Sequence, residues 1–294
     1  MTVPHAGLTV DWLGYATARV EWPDGTVAYT DPGRYGVLTG EWTPGDFDGA
    51  RHHPPASDYH AQDADLVVVT HAHHYDPHGI ERVAGDDATV VVYEGVSADA
   101  ASRNVTPVDA LDYDVVRVAY GDSPTVAGVD VQTVRAETAP DEPGGTSSHP
   151  PGFGCGFALT REDTTVFYPG DSDALAAHGD VDPEVFLPPL SRRITMGETE
   201  AADLAERLDP ELVVPSTTTP SRDWWGTADC SRPTWRAAGF RWRSTSDSPG
   251  LKSPLNPTED LFSGGRMTDV CDAAPSCPRS RPPLRSPRAA RPHR

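Results

Sequence analysis

Val69-Thr70-His71-Ala72-His73-His74-Tyr75-Asp76-Pro77-His78 is the stretch on which the reading of this chain turns. It follows Leu66-Val67-Val68, so the apolar run 66–69 has the form of a strand buried on both faces. Four histidines and an aspartate within eight residues, at the end of such a strand, concentrate metal-binding side chains in one place. Side chains two apart on an extended segment point the same way, so His71 and His73 are expected to converge on one ion. Neutral imidazole is a common ligand of zinc and similar metals, and carboxylates complete such sites. His52, His53 and His60 lie in a stretch rich in Pro, Gly and Asp (39–63) and read as solvated loop residues.

Outward from this cluster the chain alternates strands and turns. Residues 8–13 and 16–21 read as strands, with Trp22-Pro23-Asp24-Gly25 turning into a third at 26–30, closed by Asp31-Pro32-Gly33. Residues 90–93 form another buried strand and 96–103 a short helix. Residues 115–119, 126–134, 153–160 and 165–168 read as further strands. Helical spacing of Ala201, Leu204, Ala205 and Leu208 predicts a helix over 198–208, stopped by Asp209-Pro210, and 212–214 is a last buried strand. Meandering strands followed by mixed strand and helix suggest a layered α/β fold and not a Rossmann sheet.

Two further signals accompany the histidines. Tyr168-Pro169-Gly170-Asp171-Ser172-Asp173 puts a carboxylate on a tight turn at a strand end, where it can reach a metal held by the first cluster. His149 precedes Pro150-Pro151-Gly152-Phe153-Gly154-Cys155-Gly156. The alternating glycines fit neither GxGxxG nor a Walker loop, and close backbone packing in a strand is the reading taken. Gly-Asp-Ser-Asp around Ser172 lacks the G-x-S-x-G elbow of a serine hydrolase.

Together these residues resemble the metallo-β-lactamase superfamily, in particular its ascorbate-6-phosphate lactonase-like branch of metal-dependent hydrolases. The resemblance runs from about residue 8 to 215. It includes Trp12-Leu13-Gly14-Tyr15-Ala16-Thr17, Tyr29-Thr30-Asp31-Pro32, the His71 cluster, His149-Pro150, Gly170-Asp171-Ser172-Asp173, Thr195-Met196, Glu200-Ala201-Ala202 and Leu212-Val213-Val214-Pro215. It implies an αββα sandwich with metals at one edge. His71, His73 and His149 would hold a first ion, Zn²⁺ or Mn²⁺, and Asp171 would bridge to a second. A water whose pKa such ions lower from 15.7 to roughly 7 would be the nucleophile on an ester, lactone or phosphodiester of a small molecule.

Two departures from the family pattern H-x-H-x-D-H stand out. The residue two after His73 is Tyr75, so Asp76 is the candidate acidic residue in a shifted register, to orient the water or ligate the second ion, with His74 or His78 as its neighbour. The family's Val-Val-Pro strand continues x-His-Tyr, whereas here Thr217 stands at the position of the last ligand of the second metal. One ion held well and a weak second site are therefore expected, with activity reduced or lost. The alternative is a non-catalytic metal- or ligand-binding remnant.

Charge divides the chain at the same place. Of 294 residues, 1–215 carry 11 Arg and no Lys against 37 Asp and Glu, a net −26, while 216–294 carry 13 basic and 7 acidic residues, a net +6. The first part, rich in Asp, Val and Thr, resembles proteins of salt-in halophiles, in which an acidic surface stays hydrated while salt screens its self-repulsion. The second holds Cys230, Cys271 and Cys277 and closes in a run of Pro, Arg, Ser and Ala that offers no core. A hydrolase domain over 1–215 and an irregular or disordered tail over 216–294 are expected, leaving the sandwich without its usual last helix and strand. A single frameshift near residue 215 accounts for all of this. Val-His-Tyr-Asp-Thr-Phe encoded GTC CAC TAC GAC ACC TTC reads Ser-Thr-Thr-Thr-Pro-Ser once its first G is lost, which is the run 216–221.

The acidic balance argues against nucleic acid and anionic membranes as partners. No apolar run approaches the roughly 20 residues of a membrane-spanning helix. The first residues show no secretory signal, so the cytoplasm is the expected location.

Overall fold

The computed structural model describes residues 2–33, 61–101, 104–140, 144–191 and 194–218. The loop His52, His53 and His60 and the tail from 219 onward, with the expectations attached to them, lie outside the described residues.

Seven strands form the first sheet in chain order: β1 (Thr2–His5), β2 (Leu8–Gly14), β3 (Thr17–Glu21), β4 (Val27–Thr30), β5 (Ala64–Val69), β6 (Ala84–Tyr93) and β7 (Asp114–Val118). β1 to β4 are antiparallel neighbours, and β4 to β7 run parallel. The difference follows from sequence. β2 alternates buried Leu8, Val10 and Trp12 with part-exposed Thr9, Asp11 and Leu13, the pattern of a strand with one wet face. β5 buries Leu66, Val67, Val68 and Val69 completely, as a parallel strand covered on both sides must.

The second sheet has the order β14-β12-β11-β10-β9-β8, with β8 (Thr125–Val126), β9 (Val129–Ala136), β10 (Gly154–Arg161), β11 (Thr164–Tyr168), β12 (Val185–Phe186) and β14 (Leu212–Val213). Residues of both sheets, among them Leu66, Val69, Phe157, Leu159, Val166 and Val185, share one hydrophobic core. Helix α1 (Pro77–Val83) adds Ile80 and Val83 to it. On the far side of the second sheet, helix α2 (Glu198–Leu208) lays Ala201, Leu204, Ala205 and Leu208 over Phe167, Phe186 and Val213. The result is a layered α/β sandwich of two sheets with helices outside them, as the resemblance implies. A short parallel pair, β13 (Pro189–Leu190) and β15 (Thr217–Thr218), stands beside it.

α2 spans the predicted residues and ends where Asp209 turns left-handed at φ 49° ahead of Pro210. Two expectations fail locally. The strand read over 126–134 is broken by Ala127 and Gly128 at φ 51° and 74°, a tight hairpin turn that splits it into β8 and β9. The helix read over 96–103 is a turn at 98–101, where Ser97 Oγ caps Ala100 N at 3.1 Å. α1 was not foreseen, although Asp76-Pro77 is a helix-start signal, an N-cap followed by proline in the first turn. Among the described residues no helix is long and apolar enough to cross a membrane.

Burial of His178 couples this fold to pH. Its ring is fully buried against Phe167 and reaches the Arg135 carbonyl at 2.8 Å, and burial pushes its pKa below the ordinary 6.5. The unfolded chain takes up a proton near pH 6.5 that the folded chain refuses, so this contribution is complete above pH 6.5 and is lost as pH falls below it. Denaturant midpoints should drop between pH 7.5 and 5, and His178→Gln should flatten part of that slope. An equal slope in the variant would remove His178 as a cause.

Candidate metal centre

The centre forms where the two sheets meet. β5 ends at Val69, and the chain continues through Thr70 into His71, which makes an antiparallel bridge with Gly154 at the start of β10. Cys155 N donates to the Thr70 carbonyl at 3.1 Å beside it. Gly154 and Gly156 serve close packing, as read from the sequence, whereas a Cβ on Gly152 would meet nothing within 4 Å and the residue takes a left-handed turn at φ +82°. A Cβ on Gly154 would lie 2.7 Å from His71 Cβ, and one on Gly156 would lie 2.7 Å from Pro169 Cα. Gly170 has φ +64° and faces the Cys155 carbonyl, which lets the chain turn directly into Asp171.

Residues 72–74 form a turn and not an extended segment, with His74 N donating to the His71 carbonyl at 3.2 Å. His71 and His73 come together as expected, ring centres 5.2 Å apart, but the turn and not strand periodicity brings them there. It also swings His74 inward, to 4.3 Å from the His71 ring. His149, from the loop before β10, packs 4.8 Å from His71 and 5.1 Å from His73.

Asp171 Oδ2 faces three imidazole Nε2 atoms, at 3.5 Å (His149), 3.6 Å (His74) and 3.7 Å (His71). These separations are too long for hydrogen bonds. Ligand atoms arranged tetrahedrally at about 2.1 Å from a zinc ion lie about 3.4 Å from one another. His73 Nδ1 and His149 Nε2 are 3.2 Å apart, and His71, His73 and His149 offer nitrogens all within 4.8 Å of each other. His71 Nε2 is buried with no hydrogen-bond partner among the described residues. Donor type, spacing and this orphaned nitrogen all fit a metal ion.

Protonation suits the same purpose. Burial, with the neighbouring His74 and His149, holds the His71 pKa well below 6.5. Burial and His73 lower that of His149 to about 4. Both imidazoles are therefore neutral at pH 7, the form that donates a lone pair to a metal.

Asp31, completely buried at the end of β4 with φ 38°, is in the sequence a strand end and part of the family resemblance, with no role assigned to it. The structure makes it the anchor of the centre. Its Oδ1 accepts from Thr70 N at 2.8 Å; its Oδ2 accepts from the Thr70 hydroxyl at 2.6 Å and the Tyr168 hydroxyl at 2.6 Å, and meets His74 Nδ1 at 2.9 Å. Burial raises its pKa, opposed by these donors and by His71. An Asp-Pro-Gly turn gives no local hint of such a role, since the partners lie 39, 43 and 137 residues away.

Asp76 caps α1, with Oδ1 accepting from His78 N at 3.1 Å and Gly79 N at 3.3 Å. Its Oδ2 is buried with no hydrogen-bond partner among the described residues, so one oxygen is engaged in the cap and the other is available to a cation. Phe153 walls the histidines on one side, its ring 4.8 Å from His73 and 5.7 Å from His71 and His149.

A two-sheet sandwich with a histidine and carboxylate cluster at the sheet junction defines a class, and the sequence comparisons agree with it. Residues 9–217 match the family described as the beta-lactamase superfamily domain. The chain belongs to that superfamily and is a metal-dependent hydrolase of metallo-β-lactamase fold. It is 26% identical over 213 residues to a UPF0173 metal-dependent hydrolase of Methanopyrus kandleri, covering 71% of this chain and 83% of the relative. A UPF0173 metal-dependent hydrolase of Koribacter versatilis is 27% identical over 218 residues, with the same coverage. A crystal structure from Parabacteroides distasonis, described as that of a metal-dependent hydrolase, shares the fold with a TM-score of 0.54 at 19% identity, over 79% of this chain and 90% of that one.

Proposed function

We propose that the chain hydrolyses an ester, lactone or phosphodiester bond of a small-molecule substrate at this centre, in the manner of the lactonase-like branch it resembles. The observation that carries the proposal is the convergence of three imidazole Nε2 atoms on one oxygen of Asp171. His71, His73 and His149 are the residues to hold the first ion, with Asp171 as the shared carboxylate. A zinc or manganese ion there supplies a Lewis acid for the scissile oxygen and an acidified water at neutral pH. The attacking water would lie near Asp171, and Asp76, whose Oδ2 is buried with no hydrogen-bond partner among the described residues, would orient it or ligate the second ion. Phe153 keeps bulk water from one side of the histidines, and Asp31 holds their geometry from behind.

The activity of this chain is impaired, in this reading, by the residue at 217. Around it, β15 pairs with β13, Ser216 N donates to the Pro188 carbonyl at 2.9 Å, and Trp12 Nε1 donates to the Ser216 carbonyl at 2.8 Å. Threonine supplies a hydroxyl where the family supplies imidazole, a poor exchange for these metals. A frameshift near codon 215 explains the exchange, with 1–215 as the hydrolase domain and 216–294 as an out-of-frame tail. Resequencing codons 210–220 in independent isolates tests it, and an intact frame encoding Ser216–Pro220 overturns it. A cytoplasmic, high-salt setting completes the reading, and stability should rise with salt.

The test of function is turnover of phosphodiester and lactone substrates with added Zn²⁺ or Mn²⁺. Slow, chelator-sensitive turnover is expected, and restoring Val-His-Tyr at 216–218 should raise both the rate and the number of ions held. Absence of turnover in both proteins would favour the second reading, a non-catalytic metal-binding remnant, which Thr217 alone recommends.

A further inference from the structure

Ser172 lies in the turn Gly170-Asp171-Ser172-Asp173 but in no serine-hydrolase motif, and it is completely buried, out of reach of a substrate. Its hydroxyl is engaged instead with backbone 35 residues away. Oγ accepts from Glu137 N at 3.1 Å and gives its one proton to the Glu137 carbonyl at 3.1 Å or the Asp173 carbonyl at 2.9 Å. Asp173 extends the contact. Its N donates to the Glu137 carbonyl at 3.0 Å, and its Oδ2 accepts from Ala139 N at 2.7 Å. The segment 137–139, which leaves β9, is thus tied on both sides of Thr138 to the turn that carries Asp171.

Thr138 passes that position on to His149. Its N donates to the His149 carbonyl at 2.9 Å, and its hydroxyl shares a proton with the Ser147 hydroxyl at 2.7 Å. Ser147 Oγ in turn accepts from His149 N at 3.0 Å. Both backbone polar groups of His149 are therefore referred to one residue, Thr138. The turn is the fixed partner in this arrangement. Met196 N donates to the Ser172 carbonyl at 3.1 Å, and Ala174 N donates to Glu200 Oε1, in the first turn of α2, at 2.9 Å. Pinned from the side of α2, the turn sets the loop of His149 and is not set by it. At the end of this line His149 Nε2 stands 3.5 Å from Asp171 Oδ2, although the two come from separate loops. Ligand distances at a metal hold to about 0.2 Å, so a ligand on an unsupported loop binds an ion poorly.

We propose that Ser172 is a positioning residue of this centre: acting through Glu137 and Thr138, its hydroxyl sets His149 against Asp171 so that both meet one ion. The proposal rests on the metal-hydrolase reading above and adds to it the means by which two loops are held in register.

The experiment is calorimetric titration of the full chain, stripped of metal, with Zn²⁺, comparing the parent with Ser172→Ala, Thr138→Val and the double variant. Thermal melting checks that each folds, and the visible absorption of the cobalt(II)-saturated proteins reads the geometry of the ligands. Folded Ser172→Ala should lose about 10–100-fold in zinc affinity, as removal of an outer partner does, and its cobalt spectrum should differ from the parent's. Thr138→Val should lose about 10-fold. The double variant should fall within about threefold of Ser172→Ala, because both hydroxyls act along one line. A residue that only supports the fold would lower the melting temperature and leave affinity and cobalt spectrum alone. Zinc affinity of folded Ser172→Ala within about threefold of the parent, an unchanged cobalt spectrum, or losses that multiply in the double variant overturn the proposal. A parent that binds no ion overturns the hydrolase reading instead. Should Ser172→Ala not fold, Thr138→Val decides alone, and parental affinity in it overturns the proposal.

Discussion

In a His71→Ala variant, tight metal binding is expected to be lost and chelator-sensitive turnover to fall by a factor of about 10³ or more, because the proposed centre loses one of the three nitrogens that would hold the first ion and supply the acidified water. Folding of the metal-free protein should be nearly untouched or slightly improved. The bridge between His71 and Gly154 is made by backbone, which alanine keeps. The imidazole it replaces is buried with an unsatisfied Nε2 and with its pKa driven well below 6.5, so removing it relieves a cost. A functional ligand and a packing residue thus predict opposite results. Metal titration together with denaturant unfolding of the apo protein separates them, and a large loss of apo stability with metal binding intact would reject His71 as a ligand.

Asp31→Ala should produce the largest loss of stability available from a single polar side chain here. It strands the Thr70 amide and hydroxyl, the Tyr168 hydroxyl and His74 Nδ1 in a site with no solvent. Each buried donor left unmet costs about 1–3 kcal/mol, and their sum is less than additive because the groups can partly re-pair. A loss of about 4 kcal/mol or more is expected, against a total of about 5–15 kcal/mol for a domain. Asp31→Asn should be milder in stability. It keeps the shape but presents an N–H₂ to groups that are themselves donors, so the tautomers of His71 and His74 are no longer enforced. A loss of about 10–100-fold in metal affinity follows. Urea unfolding and zinc titration check both variants. An Asp31→Ala protein within about 1 kcal/mol of the parent would contradict the hub assigned to Asp31.

Much of this was legible before any coordinates. The β5 run 66–69, the α2 spacing from Ala201 to Leu208 and the histidine density after Val69 are local patterns, and local patterns report burial and chemistry directly. Of the alternating glycines, Gly154 and Gly156 in β10 serve the close packing read for them, while Gly152 lies in a turn where a Cβ would meet nothing. The strand over 126–134 failed because Ala127 takes a left-handed turn that alanine rarely signals. The α1 start at Asp76-Pro77 was overlooked beside a metal motif that claimed the same aspartate.

The amino-acid sequence by itself determined the layered class, the concentration of metal-capable side chains after Val69 and the break in charge at about residue 215. It could do so because periodicity, donor type and net charge are properties of residues and their near neighbours. Only the tertiary structure decided which donors face which. A one-turn winding of 72–74 brings in His74, a bridge to Gly154 sets His71, and Asp31 gathers partners up to 137 residues distant. Such convergence is a fact of three-dimensional packing, where a buried carboxylate must find its donors wherever along the chain they lie.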